Sequence, residues 1–118
     1  MRIDFSYPTG YSKPWKTIRT KEYDEWLDQL KDSRARNRLI ARVTRIEREG
    51  HLLGDWKSVG DGVLEIRFDF GPGYRVYIHP TQGNLLLLLA GGDKASQNRD
   101  VILSKWLLKQ WKENHHEQ

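Results

Sequence analysis

The segment 61–79, DGVLEIRFDFGPGYRVYIH, restricts the possible fold more than any other part of the chain. Apolar and polar residues alternate along 64–70 and again along 74–79. A period of two is that of a β-strand, and the Gly-Pro-Gly sequence at 71–73 is typical of a tight turn. The sequence therefore predicts an antiparallel hairpin with one apolar face and one polar face. The polar face carries Glu65, Arg67, Asp69, Arg75, Tyr77 and His79.

A turn at 71–73 also predicts which residues face each other across the hairpin. Phe70 would lie opposite Tyr74, and a slip of one residue would move charged side chains onto the apolar face. Charge pairs are common on the solvated face of an antiparallel sheet. The hairpin alone therefore leaves open whether its polar face serves stability or chemistry. The predicted polar pairs are Arg67 with Tyr77, Glu65 with His79, and Asp69 with Arg75.

The rest of the chain adds helices and further strands to a single domain of 118 residues. The predicted elements are a strand at 15–19, a helix at 21–31 after the N-cap Thr20, a helix from Asp32 or Ser33 to Glu49 before Gly50, a strand at 55–59, an interior strand at 85–90 and a helix from 95 or 96 to 112. We expect an irregular lead-in at 1–14 and a frayed tail at 113–118. The predicted fold class is α+β, a small antiparallel sheet with an N-terminal helical hairpin packed on one face and a C-terminal helix. In this prediction the helices cover one face of the sheet and leave the polar face open.

Composition excludes several classes of protein. The chain has no cysteine, and its longest apolar run, at 85–90, is far shorter than the roughly 20 residues that span a bilayer. The polar N-terminus is unlike a signal peptide, so we expect a cytoplasmic protein with no membrane partner. No phosphate-binding loop or dinucleotide-binding glycine pattern is present, and His51 and His79 lack a third metal ligand. We therefore expect no metal and no small-molecule cofactor.

The polar face of the hairpin has the groups that RNA cleavage by an internal 2′-hydroxyl requires. The hydroxyl must lose a proton, the extra negative charge on the phosphorane must be stabilised, and the leaving 5′-oxygen must gain a proton. Arg and Lys stabilise the charge, whereas Tyr, Lys, His or Glu act as acid or base when their pKa values are shifted. The candidates for these roles are Arg67, Tyr77, Arg75, Glu65, His79, Lys57 and Lys94.

A row of arginines follows one face of the helix predicted to end at Glu49. At 100° per residue these side chains lie within about 120° of one another, next to the apolar face of the same helix. Such a row is either a solvated surface or a contact for nucleic acid or an acidic partner, and a net charge of +4 permits both. The residues of this arginine row are Arg34, Arg38, Arg42, Arg45 and Arg48.

Four motifs in order along the chain resemble the RelE/ParE toxin superfamily. The motifs are WL..L.D..AR.R, GD.K.VG.GV.E.R, GPGYRVY and GGDK..Q, and together they extend over roughly 15–112. The chain is most similar to the phage-derived, HigB-type branch whose members are called addiction module killer proteins. The resemblance implies the toxin of a type II toxin–antitoxin pair, with ribosome-associated mRNA cleavage that uses no metal or cofactor. It also implies a helix-turn-helix antitoxin as partner and a RelE-like fold for 1–118.

The same resemblance implies roles for particular residues. Arg67 would stabilise the transition-state phosphate, while Lys57 and Lys94 would position the backbone or transfer protons. Arg75 is matched as well, and Tyr77 would stack on a base or hydrogen-bond at the scissile phosphate. The RelE prototype uses a tyrosine near its C-terminus as base, but this chain has none after GGDK. Glu65 and His79 are the replacements to test.

Two further functions remain open on the sequence. Members of the ParE type inhibit DNA gyrase with the same fold, so the fold does not decide the target. A non-toxic module that binds the antitoxin and regulates the operon is the other alternative. In each case the arginine row offers a basic surface to an antitoxin, and in a ribosome-associated endonuclease it could instead lie along ribosomal RNA.

Overall fold

A computed structural model describes residues 13–115 as an α+β domain of five strands and three helices. The elements are β1 (Lys16–Arg19), α1 (Lys21–Gln29), α2 (Ser33–Glu49), β2 (Trp56–Gly60), β3 (Val63–Arg67), β4 (Arg75–Pro80), β5 (Leu85–Gly92) and α3 (Gln97–His115). Most of the predicted lead-in at 1–14, and the last part of the predicted tail at 116–118, lie outside the described residues. Within the described range, no helix combines the length and apolar character needed to cross a membrane.

The sheet is mixed, so the prediction of a purely antiparallel sheet is wrong. The strand order is β1-β5-β4-β3-β2, and β1 runs parallel to β5 while the other neighbours are antiparallel. The α1–α2 hairpin follows β1 and carries the chain from this edge of the sheet to β2 at the other edge. The four residues of β1 are too few for their apolar and polar pattern to indicate whether the neighbouring strand runs parallel or antiparallel.

The α1–α2 hairpin packs on one face of the sheet as predicted, and its caps follow the sequence signals. The Thr20 hydroxyl accepts a hydrogen bond from the Tyr23 amide at 2.9 Å. Asp32 Oδ1 accepts from two amides at the start of α2, and Gly50 ends the helix with φ 73°. Leu39 and Ile46 of α2 are fully buried. They belong to a core that also contains Tyr23, Ala35, Val43, Ile66, Phe68, Tyr74, Val76, Ile78, Leu86 and Leu88.

Helix α3 covers much of the second face, which is predicted to be open. Leu108 of α3 packs against Val63, Tyr77 and Leu89 in a second apolar cluster. The expectation that helices cover only one face is therefore wrong. Apolar side chains around most of α3 give this helix a buried side in addition to its exposed side. It also continues to His115, so the tail predicted to fray from 113 is helical to that residue.

The β3–β4 register differs from the predicted one by two residues. Glu65 lies opposite Tyr77 and Arg67 lies opposite Arg75, so the predicted polar pairs are wrong. The cause is a longer loop: the Phe68 amide donates to the Tyr74 carbonyl at 3.0 Å. The loop at 69–73 thus replaces a turn limited to 71–73. Because a shift of two residues keeps every side chain on its face, the predicted faces remain correct.

Candidate functional site

A polar cleft lies beside the β3–β4 loop, and three cationic side chains line it. The cleft has a volume of about 560 Å³ and contains Arg67, Arg75 and Lys94 together with the carboxylates of Asp55 and Asp69. Its cations come from the end of β3, the start of β4 and the turn before α3. The cleft therefore gathers charges from three segments that are separate in sequence. The rest of its lining is Phe68, Gly71, Pro72 and Gly73.

Register and loop contacts place these cations together. Arg67 and Arg75 occupy directly opposed positions of the β3–β4 pair. The amide of Lys94 donates to the Pro72 carbonyl at 3.4 Å, which ties the turn before α3 to the β3–β4 loop. Like charges directly opposite each other destabilise a sheet. An arrangement of this kind therefore needs counter-ions, and the two arginines have different ones.

Arg67 is paired at the surface. Its Nη2 atom donates to Asp55 Oδ1 at 2.9 Å, with side-chain exposures of 31% for Arg67 and 62% for Asp55. The Nε atom of Arg67 is buried and has no hydrogen-bond partner in the part of the chain that the structure describes. A buried donor without a partner is costly, and such a group requires a specific explanation in a native structure.

The Arg75 side chain contacts two backbone carbonyls and a buried carboxylate. Its Nη1 atom donates to the carbonyls of Gly73 and Tyr74 at 3.1 and 3.3 Å. Its Nε atom lies 3.8 Å from Glu65 Oε1, and both atoms are buried and lack a hydrogen-bond partner among residues 13–115. The Arg75 side chain is 12% exposed and that of Glu65 is not exposed at all. Arg75 is thus a nearly buried cation whose counter-ion lies beneath the cleft.

Glu65 is the centre of a buried hydrogen-bond network under α3. Its Oε2 atom accepts from the Tyr77 hydroxyl at 3.0 Å and from Gln97 Nε2 at 2.8 Å. Burial raises the pKa of Tyr77, and the nearby negative charge of Glu65 raises it further. The phenol is therefore a protonated donor at neutral pH. Neither Glu65 nor Tyr77 lines the cleft, so neither reaches a substrate there as the protein stands.

The comparisons with known proteins identify a relative by sequence. A Haemophilus influenzae protein (strain ATCC 51907 / DSM 11121 / KW20 / Rd), named only as an uncharacterized protein, is 44% identical over 88 residues. The alignment covers 75% of this chain and 87% of that protein. The chain belongs to the same family as that protein. No family model matches the chain, and no solved structure matches it significantly.

Two of the predicted site residues lie away from the cleft. Lys57 is exposed on β2 and lines a separate depression of about 690 Å³ between β2 and α3, together with Gln97 and Ile102. His79 is buried on β4, where its Nδ1 atom lies 2.7 Å from the Gly62 carbonyl oxygen. Of the predicted site residues, Arg67, Arg75 and Lys94 therefore line the cleft, and Lys57, Glu65, Tyr77 and His79 do not.

The arginine row of α2 divides into two groups. Arg42 donates to the carbonyls of Leu53, Asp55 and Arg67 and lies 4.6 Å from the Phe68 ring centroid. Burial lowers the pKa of Arg42, and nearby carboxylates oppose that shift. The guanidinium of Arg38 lies 3.7 Å from the ring centroid of Phe70. Arg42 is half-buried and Arg38 is exposed over its aromatic ring, and Arg34, Arg45 and Arg48 are exposed as well.

Two groups at this site were missed by the sequence reasoning. Asp55 follows Gly54 in GDWK and was not selected, although it is the ion-pair partner of Arg67. Gln97 is the last residue of the GGDK..Q motif, which indicates no role for it, although it donates to the buried Glu65. Both residues stand in the quoted motifs, and only tertiary contacts reveal their partners. Within residues 13–115, no group of three or more His, Asp or Glu side chains has the arrangement to hold a metal ion.

Proposed function

We propose that this protein is the toxin of a type II toxin–antitoxin pair and acts in the cytoplasm as a ribosome-associated mRNA endonuclease. The supporting observation is the convergence of Arg67, Arg75 and Lys94 on one open cleft. Three cations in one cleft provide the charge that a phosphodiester and its transition state require. The RelE/ParE motifs include all three residues, which gives independent support from the sequence.

The proposed reaction is an attack by the 2′-oxygen on the adjacent phosphorus. Asp69 accepts the proton of the 2′-hydroxyl, since Asp69 lines the cleft and the carboxylate of Asp55 is paired with Arg67. The bond from phosphorus to the 5′-oxygen breaks, and Lys94 donates a proton to that oxygen. The products are a 2′,3′-cyclic phosphate and a 5′-hydroxyl. Arg67 and Arg75 stabilise the negative charge on the phosphorane, so side chains of this chain supply every role.

Glu65 has a supporting role in this proposal. Its carboxylate faces Arg75 from below the cleft, and Tyr77 and Gln97 hold its other oxygen. A buried carboxylate with two donors keeps a fixed position. Glu65 therefore positions Arg75 and accepts no proton from RNA.

The proposed partner is a helix-turn-helix antitoxin. Arg34, Arg45 and Arg48 are exposed on α2 and offer a basic surface to it or to ribosomal RNA. Ile102 and Trp106 of α3 are 70% and 55% exposed, which is unusual for side chains of this size. These apolar side chains offer a second surface to the same partner.

Transcript-end mapping after induction in a bacterial host tests the proposed function. Wild-type protein should arrest growth and produce transcripts with new 5′-hydroxyl ends, whereas Arg67→Ala should leave transcripts intact. Arg99→Ala is the matched control, because it removes an exposed arginine that belongs neither to the cleft nor to the arginine row. Folding of each variant is checked by circular dichroism. A folded Arg67→Ala protein that still cleaved transcripts would exclude Arg67 from the reaction.

A non-catalytic function is the second candidate, and one observation favours it. Glu65, Tyr77 and His79, the bases suggested by the sequence, all lie outside the cleft. A protein of this kind would inhibit DNA gyrase or bind the antitoxin without cleaving RNA. Loss of plasmid supercoiling with intact transcripts would identify a gyrase inhibitor, and expression without growth arrest would identify an antitoxin-binding module. New transcript ends that disappear in Asp69→Asn would exclude both alternatives.

A further inference from the structure

The ion pair between Arg67 and Asp55 lies within the proposed phosphate site. Both side chains line the cleft, and the contact is a single hydrogen bond from Nη2 to Oδ1 of 2.9 Å. Asp55 is the more exposed partner, at 62% against 31% for Arg67. A phosphate that approached Arg67 would therefore meet a guanidinium that already has an anion bound to it.

The backbone around Asp55 fixes this arrangement. The Asp55 carbonyl accepts from the Arg67 amide at 2.9 Å and from Arg42 Nη2 at 2.8 Å. Arg42 also donates to the Arg67 carbonyl, so it joins the two segments that carry the ion pair. Gly54 has φ +79°, and an added Cβ there would lie 2.5 Å from Arg42 Nη2. The chain is thus built to hold the Asp55 carboxylate beside Arg67, and rotation of the Asp55 side chain is the simplest way to release it.

The other cations of the cleft differ from Arg67 in this respect. Arg75 has its counter-ion, Glu65, beneath the cleft, where no substrate competes for it. Lys94 is exposed. An arriving phosphate therefore meets no competing anion within the cleft at Arg75, which is nearly buried, or at the exposed Lys94, but it must replace a carboxylate on Arg67.

We propose that Asp55 is a displaceable counter-ion that occupies the phosphate position on Arg67 until a substrate phosphodiester replaces it. This inference rests on the proposed function of the cleft. Replacement requires an anion that contacts Arg75 and Lys94 at the same time, because these contacts offset the loss of the Asp55 pair. Asp55 thereby weakens the binding of isolated anions and favours a phosphodiester held in the full cleft.

A binding experiment with an uncleavable probe tests this inference. The probe is a 2′-O-methyl RNA dinucleotide, which has one phosphodiester and no attacking hydroxyl. It is titrated into the full-length, ¹⁵N-labelled protein, and the dissociation constant is read from the Nε–H resonance of Arg75, or from that of Arg67 in the variant that lacks Arg75. Asp55→Asn should tighten binding about fivefold, as expected when a competing ion pair of about 1 kcal/mol is removed.

Asp69→Asn is the matched control, because it removes the same charge from the same cleft without breaking the Arg67 pair. It should tighten binding less than about twofold, and that gain should shrink at high salt because it is a screened effect. The Asp55→Asn gain should disappear when Arg67 is also replaced by Ala, since Asp55 acts through Arg67. Amide spectra of each variant confirm that it is folded.

The outcomes separate this inference from the proposed function. If Arg67→Ala and Arg75→Lys weaken binding but Asp55→Asn does not tighten it, the counter-ion inference is wrong and the phosphate site stands. The inference is also wrong if Asp69→Asn matches Asp55→Asn, or if the gain survives without Arg67. If the dinucleotide shifts no cleft resonance in the wild type or in Asp55→Asn, the cleft does not bind phosphodiesters and the proposed function is overturned with it.

Discussion

Replacement of Arg42 by Ala should destabilise this protein far more than replacement of a neighbouring arginine. The Arg42 guanidinium donates to three backbone carbonyls, those of Leu53, Asp55 and Arg67, at distances of 2.6 to 3.2 Å. It also lies over the ring of Phe68. Its removal leaves these carbonyls to water and separates the loop before β2 from the end of β3.

The expected size of this loss follows from the contacts. Each hydrogen bond from the charged Arg42 guanidinium contributes about 1.5 kcal/mol. This is the low end of the usual range, and it applies because the acceptor residues Leu53 and Asp55 are not buried. The stacking on Phe68 adds about 0.5 to 1 kcal/mol. Against this, a freed arginine side chain regains up to about 2 kcal/mol of conformational entropy. The net loss in the free energy of unfolding is therefore about 3 kcal/mol, or roughly 10 °C in Tm for a domain of this size.

Urea unfolding followed by tryptophan fluorescence measures this change. Arg45→Ala is the matched control, because Arg45 is exposed on the same helix and should change the stability by less than about 0.5 kcal/mol. Arg42→Lys should recover only a small part of the loss, since an ammonium cannot reproduce the fork that serves three carbonyls. Equal stabilities for the Arg42 and Arg45 variants would show that the backbone contacts of Arg42 contribute nothing and that it belongs to the solvated part of the arginine row.

Two further predictions concern buried ionisable groups. Burial, with a smaller contribution from Asp24, raises the pKa of Tyr23 from 10 to about 12. The unfolded chain therefore loses the Tyr23 proton at a lower pH than the folded protein does. The free energy of unfolding should fall by about 1.4 kcal/mol per pH unit as the pH rises from 10 to 12. Tyr23→Phe should remove this pH dependence, and an equal pH dependence in wild type and variant would show that Tyr23 does not cause it. Glu65→Gln should cost about 3 kcal/mol, because Arg75 loses its buried counter-ion, and should slow cleavage without changing the shape of the pH–rate profile. A shifted profile in Glu65→Gln would instead identify Glu65 as the base.

Local signals in the sequence predicted the elements well, because the physics that forms them is local. Thr20, Asp32 and Gly50 cap the helices at the predicted positions, and each cap depends on residues within one turn. The alternation along 64–70 and 74–79 assigned the apolar side chains of the paired strands to their correct face. The direction of β1 relative to β5 depends on a contact across nearly 70 residues, as Lys16 opposite Leu85 shows. No local pattern contains that information.

The residues that share the cleft were predicted in part, and the errors have two causes. Arg67, Arg75 and Lys94 were selected by motif and do share a cleft. The pairing of Glu65 with His79 failed because a loop at 69–73 moves the register by two residues, which alternation cannot detect. The motifs include Asp55 and Gln97 but indicate no partner for either, because their partners are distant in sequence.

The start of α3 explains how one sheet face serves both the core and the cleft. The helix begins at Gln97 and buries the part of the polar face that lies beneath it. There, Glu65 accepts hydrogen bonds from Tyr77 and Gln97. The loop end of β3 and β4 extends beyond that cover, so Arg67 and Arg75 open onto the cleft. Charges that would be interchangeable on a solvated sheet thereby acquire different environments. The buried carboxylate of Glu65 is the counter-ion of Arg75. Arg67 instead has the exposed counter-ion Asp55, so Arg67 is the adjustable part of the cleft.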